Sequence, residues 1–238
     1  MSNDDTVVGV DACPAGWVAT VITPDGAKTE TYEEFETLHD TYEHAKRILV
    51  DIPIGLPEAE RRRCDQYARD LLGSRRSSVF WPPCEAAANA DDYDEANQAH
   101  KDTVGHGLSQ QAFYIREKIL EVGALVGDEY DGQVTESHPE LCFAALNDQP
   151  IAYAKSSEQG RALRMYLLSE ALENAEALYE ETRENYLLKE VSRDDILDSI
   201  VLAVTARQEL LHSAPSDPAA DEPRIYYPEL SVPGITVD

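Results

Sequence analysis

Two aspartates stand where apolar runs end. Thr6 to Val10 runs into Asp11, and Ile48-Leu49-Val50 runs into Asp51. Short apolar runs of this kind read as buried strands, and an acid that closes one lies at a strand end, where the sites of α/β proteins gather. If the two strands are parallel neighbours, the carboxylates lie side by side. Bare carboxylates at close range repel, and one must take up a proton unless a cation removes the conflict. Further acids come late in the chain. Asp195 and Asp198 are spaced i, i+3 on one helix face, with Asp194 and Asp198 (i, i+4) as the alternative pair. Behind them, Ile200-Val201-Leu202-Ala203 would pack that helix on the sheet. Hard oxygen ligands favour Mg²⁺ or Mn²⁺ over Zn²⁺. Two such ions about 4 Å apart would clamp the attacking and leaving oxygens of a phosphodiester.

The elements that must position these acids are legible in outline. Thr6 to Val10, Trp17 to Ile22 and Lys28 to Tyr32 read as three strands joined by the turns Ala12 to Gly16 and Pro24-Asp25-Gly26. Tyr32 to Arg47 has helical composition and leads into the strand Ile48 to Val50. Strand, helix, strand implies a right-handed crossover and parallel pairing, so the order β-β-β-α-β follows from the residues alone. Helices are then predicted over Glu58 to Leu72 (closed by Gly73), Glu85 to His100 and Leu108 to Val126. A short strand at Gln133 to Glu136 precedes helices at Pro139 to Leu146 and Ser157 to Tyr186. Ser192 reads as the N-cap of a last helix, Arg193 to about Leu211, with Asp194 and Asp195 favourable in its first turn. Arg224 to Tyr227 is a candidate edge strand. The organisation expected is one domain over 1–213 with a helical insertion at about 58–130, then a Pro-rich acidic tail over 214–238.

Composition narrows the setting. The chain has 238 residues, 42% of them hydrophobic, enough for a packed core. Its net charge is −26, and only six of its 20 basic residues are Lys. Such a surface repels itself unless salt shortens the Debye length to a few ångström, which points to a halophile's cytoplasm. The charge argues against indiscriminate nucleic-acid binding, which depends on neutralising phosphates. A local basic patch can persist on an acidic body, and Glu60 to Arg76 is the richest stretch in Arg. Cys13, Cys64, Cys84 and Cys142 form no C-x-x-C pair, so buried free thiols in a reducing compartment are expected. Met1 to Thr6 has no signal-peptide pattern, and no apolar run approaches the roughly 18 residues of a membrane span.

Six segments together resemble one family: GVDACPAGWVA (Gly9 to Ala19), VDIPIGLPE (Val50 to Glu58), RRRCDQYARDLLGSRRSSVF (Arg61 to Phe80), LSQQAFYIREKILEV (Leu108 to Val122), TESHPELCFAALN (Thr135 to Asn147) and DDILDSIVLAVTA (Asp194 to Ala206). They resemble domain of unknown function family 429, described as predicted nucleases with a ribonuclease H-like fold. The resemblance implies an α/β, ribonuclease H-like mixed five-stranded sheet flanked by helices, with a helical insertion between the fourth and fifth strands. It implies metal or catalytic roles for Asp11, Asp51, Asp195 and Asp198. Glu136, His138 and Glu140 fall on an HPE motif. Glu136 and His138, two apart on a strand, would face the same way, Glu136 as a further ligand and His138 as a proton-transfer group. Arg75 and Arg76 would clamp a phosphate, with Ser77 and Ser78 as hydroxyl donors and Gln110, Lys118, Lys155 and Arg161 as further substrate contacts.

In a chain this acidic, the bland reading of any one Asp is a solvated surface charge. Asp194 and Asp195 equally suit a helix N-terminus, His138 a structural role beside Pro139, and Lys118 and Lys155 surface salt bridges. The resemblance implies an Mg/Mn-dependent nuclease on DNA or RNA, and the dimers of related resolvases make a homodimer the expected assembly. Two alternatives stand beside it. One is a non-catalytic nucleic-acid or protein binding module on the same scaffold. The other is a nucleotide-binding phosphotransferase, which needs phosphate-binding Gly loops and a doubled domain that 238 residues hardly hold.

Overall fold

The protein is described by a computed structural model over residues 5–230. Met1 to Asp4, and residues 231–238 of the segment read as a tail, lie outside the described residues. The centre is a five-stranded mixed sheet of β1 (Val7–Cys13), β2 (Gly16–Thr23), β3 (Gly26–Tyr32), β4 (Arg47–Val50) and β5 (Val134–Glu136), in the order β3-β2-β1-β4-β5. The first three strands form the antiparallel meander expected from their turns. β4 adds parallel to β1 with Val50 beside Val10, and β5 adds parallel to β4 with Glu136 beside Val50.

Both faces of the sheet are covered, which is why β1 and β2 are apolar almost without alternation. On one face, Val7, Val18, Ile22 and Leu49 pack with α10 (Arg193–Ala206), α7 (Pro139–Leu146), α8 (Glu158–Ala171) and α9 (Ala175–Asn185). On the other, Val8, Val10, Trp17 and Val21 meet Phe35 and Leu38 of α1 (Phe35–Thr41) and Ile119 and Val122 of α6 (Arg116–Val126). Between β4 and β5 the chain also forms α2 (Arg63–Leu72), a 3-10 turn (Gly73–Ser78), α3 (Glu85–Ala88), α4 (Tyr93–Val104) and α5 (Gln110–Tyr114). α3 to α5 bury a small core of their own around Ala87, Ala96, Leu108 and Phe113.

α10 is the central helix. Ser192 caps it and Asp195 reciprocates, completing a capping box. Every residue from Ile196 to Ala206 is buried, as in a helix enclosed on all sides. It seats directly on β1 because Gly9 has no side chain: a Cβ there would run into the backbone of Ala203, Ser199 and Leu202. Ser199, buried in this contact, shares a 2.9 Å hydrogen bond with Thr20 and donates to the Ile196 carbonyl.

Several expected elements are shorter or divided. The helix read over Tyr32 to Arg47 is only α1, since β3 pairs with β2 through Tyr32. The helix read from Glu58 begins at Arg63, because Arg62 is turned inward. Glu85 to His100 breaks before Asp92, which caps α4, and Leu108 to Val126 breaks at Ile115. Ser157 to Tyr186 is two helices, interrupted where Leu172 becomes extended and turns inward. The last helix ends at Ala206. Beyond it, β6 (His212–Ala214) pairs antiparallel with β7 (Ile225–Tyr227), so part of the segment read as a tail is folded. All four cysteines are buried and free. Among the described residues no helix is long and apolar enough to cross a membrane.

Candidate metal centre

Three elements deliver three carboxylates to one point. Asp11 lies near the end of β1, on the face that receives α10. Asp51 follows β4 directly, and its backbone N–H donates to the Val10 carbonyl at 3.0 Å, which fixes it beside Asp11. Asp198 is one turn into α10, brought down onto β1 by the Gly9 contact. One oxygen from each of Asp11, Asp51 and Asp198 lies within 4.8 Å of the others. Asp11 and Asp198 are buried and Asp51 is partly so.

The energetics of this cluster are unfavourable without a cation. Burial, then the charges of Asp51, Asp198 and Asp195, push the Asp11 carboxyl well above its usual range. Burial also raises Asp51, against the opposing pull of His138 and Lys155. Asp198 is pushed up to about 6 by burial, with Lys155 working against the shift. The Lys155 ammonium donates to Asp198 Oδ2 at 3.0 Å and has its own pKa raised, chiefly by that contact. Lys155 is held there by a loop that closes onto α8, where a Cβ on Gly160 would meet the Ala154 carbonyl. An all-oxygen donor set, partly desolvated and with one cationic neighbour, fits a hard divalent ion.

The cluster forms the floor of a cleft of about 360 Å³. Arg75, Ser77, Ser78 and Phe80 line one wall, with Gln111 and Ile115 beside them, and His138, Glu140, Lys155 and Asp195 complete the rim. A groove of about 810 Å³ near Gly55 and Tyr130 is larger but, among the described residues, brings no comparable set of acids to one point. Volume alone therefore does not select the site.

The sequence-derived candidates divide accordingly. Asp11, Asp51, Asp198, Asp195, Arg75, Ser77, Ser78, His138 and Lys155 meet in the cleft. Asp195 stands outside the close triad, its carboxylate taken by the Ser192 N–H and hydroxyl. His138 is not on a strand with Glu136: β5 ends at Glu136, and His138 is the N-cap of α7. Its Nδ1 accepts from the Glu140 N–H at 3.2 Å, and its Nε2 lies 3.4 Å from the Ser78 carbonyl. Glu136 points elsewhere. Both its oxygens accept from Arg62 (2.8 and 2.9 Å), and Oε2 also accepts from the Ile54 N–H at 2.7 Å. Arg62 in turn holds Asp65 and the carbonyls of Ile54 and Gly55. This buried network fastens the segment just after Asp51, so Glu136 positions a site that it does not line. Burial pushes its carboxyl up to about 7, against the pull of Arg62.

Gln110 is replaced in the lining by its neighbour Gln111. Lys118 pairs with Glu121 at 3.1 Å and lies over the Trp17 ring. Arg76 is exposed outside the lining, and Arg161 donates to the Ser156 carbonyl. Glu140 joins the site by a route that sequence spacing does not reveal. It bridges the buried Arg164 and, at 3.7 Å, Arg75, and so steers Arg75 toward the cleft.

The family model described as "Protein of unknown function (DUF429)" matches residues 9–221, and the chain belongs to that family. No curated protein and no solved structure matches it.

Proposed function

We propose that this member of the DUF429 family is an Mg/Mn-dependent nuclease, hydrolysing phosphodiester bonds in DNA or RNA on a ribonuclease H-like scaffold. The observation that carries the reading is the convergence of Asp11, Asp51 and Asp198 from three separate elements within 4.8 Å. Strands ordered β3-β2-β1-β4-β5, with the helices α2 to α6 between the fourth and fifth, support the scaffold assignment.

Asp11, Asp51 and Asp198 would hold the ion, with Asp195 on its rim. A divalent cation held there supplies charge to polarise a phosphoryl oxygen and to acidify a water. Arg75 offers a guanidinium for a phosphate, with Ser77 as a neutral donor, while the Ser78 hydroxyl donates to the Arg75 carbonyl at 2.8 Å and would have to turn to reach a phosphate. His138 has the proton on Nε2, since Nδ1 accepts from Glu140, and it stands on the cleft wall as a proton-transfer group. Lys155 neutralises part of the triad and would face a bridging phosphate. A cytoplasm rich in salt suits the −26 charge, and a homodimer belongs to the same proposal.

The test is Mn²⁺ binding in molar KCl, which suppresses loose association with the acidic surface, for wild type, Asp11→Asn and Asp198→Asn. One saturable site lost in both variants, followed by metal-dependent cleavage of oligonucleotides, supports the reading. Unchanged affinity in both variants removes it. A second reading is favoured by the Lys155–Asp198 contact, which already supplies one positive charge: a non-catalytic binding module, indicated by nucleic-acid binding with neither metal uptake nor cleavage.

A further inference from the structure

We propose that Arg61 and Arg69, held over the Trp81 ring, together with Arg76 on the 3-10 turn that follows α2, form the landing surface for a single-stranded polynucleotide whose next nucleotides enter the carboxylate cleft. The inference deepens the nuclease reading and rests on it for what happens in the cleft.

The surface gathers unpaired cations in one short stretch. Arg62, Arg63 and Arg75 of that stretch pair with carboxylates. Arg61, Arg69 and Arg76 have no ion-pair partner among the described residues. The acids nearest Arg69 are engaged: Asp65 with Arg62, and Asp70 with Gln66 at 2.9 Å. What holds Arg61 and Arg69 is an indole. The guanidinium carbons of Arg61 and Arg69 lie 4.2 and 4.7 Å from the Trp81 ring centroid, a cation–π arrangement that orders a cation without neutralising it. Arg69 also donates to the Val79 carbonyl. Burial, then the charges of Arg76 and Arg61, draw the Arg69 pKa down. Asp65 and Asp70 offset part of that repulsion without pairing with Arg69, and a polyanion would relieve the rest.

The surface is continuous with the cleft through one short segment. Arg75, Ser77, Ser78 and Phe80 line the cleft, while Arg76 and Trp81 lie within and just after the same run. Trp81 follows Ser78 by three positions, a span of at most about 10 Å. Guanidinium planes ordered on an aromatic ring give bases a stacking platform and phosphates a donor. A cleft of about 360 Å³ has the size of a small-ligand pocket and admits an unpaired nucleotide rather than a duplex.

The experiment is fluorescence anisotropy of a labelled 20-nucleotide oligothymidylate with the full chain in EDTA, across a series of KCl concentrations. Parallel arms use oligouridylate, to distinguish DNA from RNA, and a blunt duplex of the same length. The Arg61→Glu/Arg76→Glu variant changes two exposed side chains outside the cleft lining, and Arg61→Lys/Arg76→Lys restores the charge. Single strands should bind in a salt-dependent way and more tightly than duplex. The Glu variant should lose at least about tenfold in affinity and about 1.4 of the log–log salt slope, since each single-strand phosphate contact contributes about 0.7. The Lys variant should recover most of both. Equal binding by wild type and the Glu variant overturns the proposal, as does tighter binding of duplex or no binding of any strand. Mn²⁺ titration of the same Glu variant keeps the two readings apart: an intact metal site with unchanged strand binding sinks only the landing surface. Patch-dependent strand binding without any metal site sinks only the nuclease.

Discussion

Asp198→Asn should stabilise the metal-free protein at neutral pH, although it removes an ion pair. Asp198 is buried, and its pKa rises from 3.8 to about 6 despite the Lys155 contact. A shift of about two units corresponds to roughly 3 kcal/mol, at about 1.4 kcal/mol per unit. The sign follows from linkage. A carboxyl whose folded pKa lies above its unfolded one contributes stability below about pH 4, and that contribution is lost as pH rises through about 6. Asn mimics the neutral carboxyl at every pH. Allowing about 1 kcal/mol for the amide's poorer hydrogen bonding leaves a gain of roughly 2 kcal/mol at pH 8. In a chain of this length that is about 4–8 °C in Tm. Lys155 has its side chain half exposed and can turn to water when its partner is lost. The assay is thermal unfolding by circular dichroism in EDTA and molar KCl, at pH 4.5 and pH 8. The variant should melt above wild type at pH 8, with the gap narrowing towards pH 4.5. Added Mn²⁺ should reverse the order, because only wild type gains from ligand linkage. A variant that melts below wild type at pH 8 in EDTA, or a gap that ignores pH, would refute the argument that the triad is held under repulsion.

Three other outcomes follow from the same contacts. Arg62→Ala should cost about 3–5 kcal/mol, because it strands Glu136 and Asp65 in a buried site; urea unfolding checks this, and a loss under about 1 kcal/mol would mean the network is not closed in solution. Gly9→Ala should lower Tm and weaken Mn²⁺ binding together, since α10 must retreat from β1 and carry Asp198 with it; unchanged calorimetric affinity would show that the helix seat does not set the site. Lys155→Ala should tighten Mn²⁺ binding while lowering Tm in EDTA, because the ammonium competes with the ion for Asp198 yet relieves the empty triad; weaker Mn²⁺ binding would assign Lys155 a supporting role instead.

How far the site was legible depends on the distance over which each residue's partner acts. Asp51 could be read because an acid closing a strand is a local pattern; Asp11 closes its apolar run but lies inside β1, which continues to Cys13, and parallel pairing of β1 with β4 then leaves their carboxylates little choice but to meet. Asp198 could be read because the apolar run behind it must face the sheet. The meander and the crossover were legible for the same reason, whereas helix breaks at Ile115 and Leu172 were not, since tertiary packing decides them against good local propensity. The HPE segment shows where local reasoning fails. Alternation places Glu136 and His138 on one face only if the strand continues, and Pro139 ends it by starting α7. The side chain that then claims Glu136 is Arg62, 74 residues earlier, and the one that claims Glu140 is Arg164, 24 residues later. No spacing rule reaches either partner. The same limit applies to Arg61, Arg69 and Arg76: an Arg-rich stretch is visible in the sequence, but which arginines are spent on acids and which stay free is decided only by where the chain places the acids.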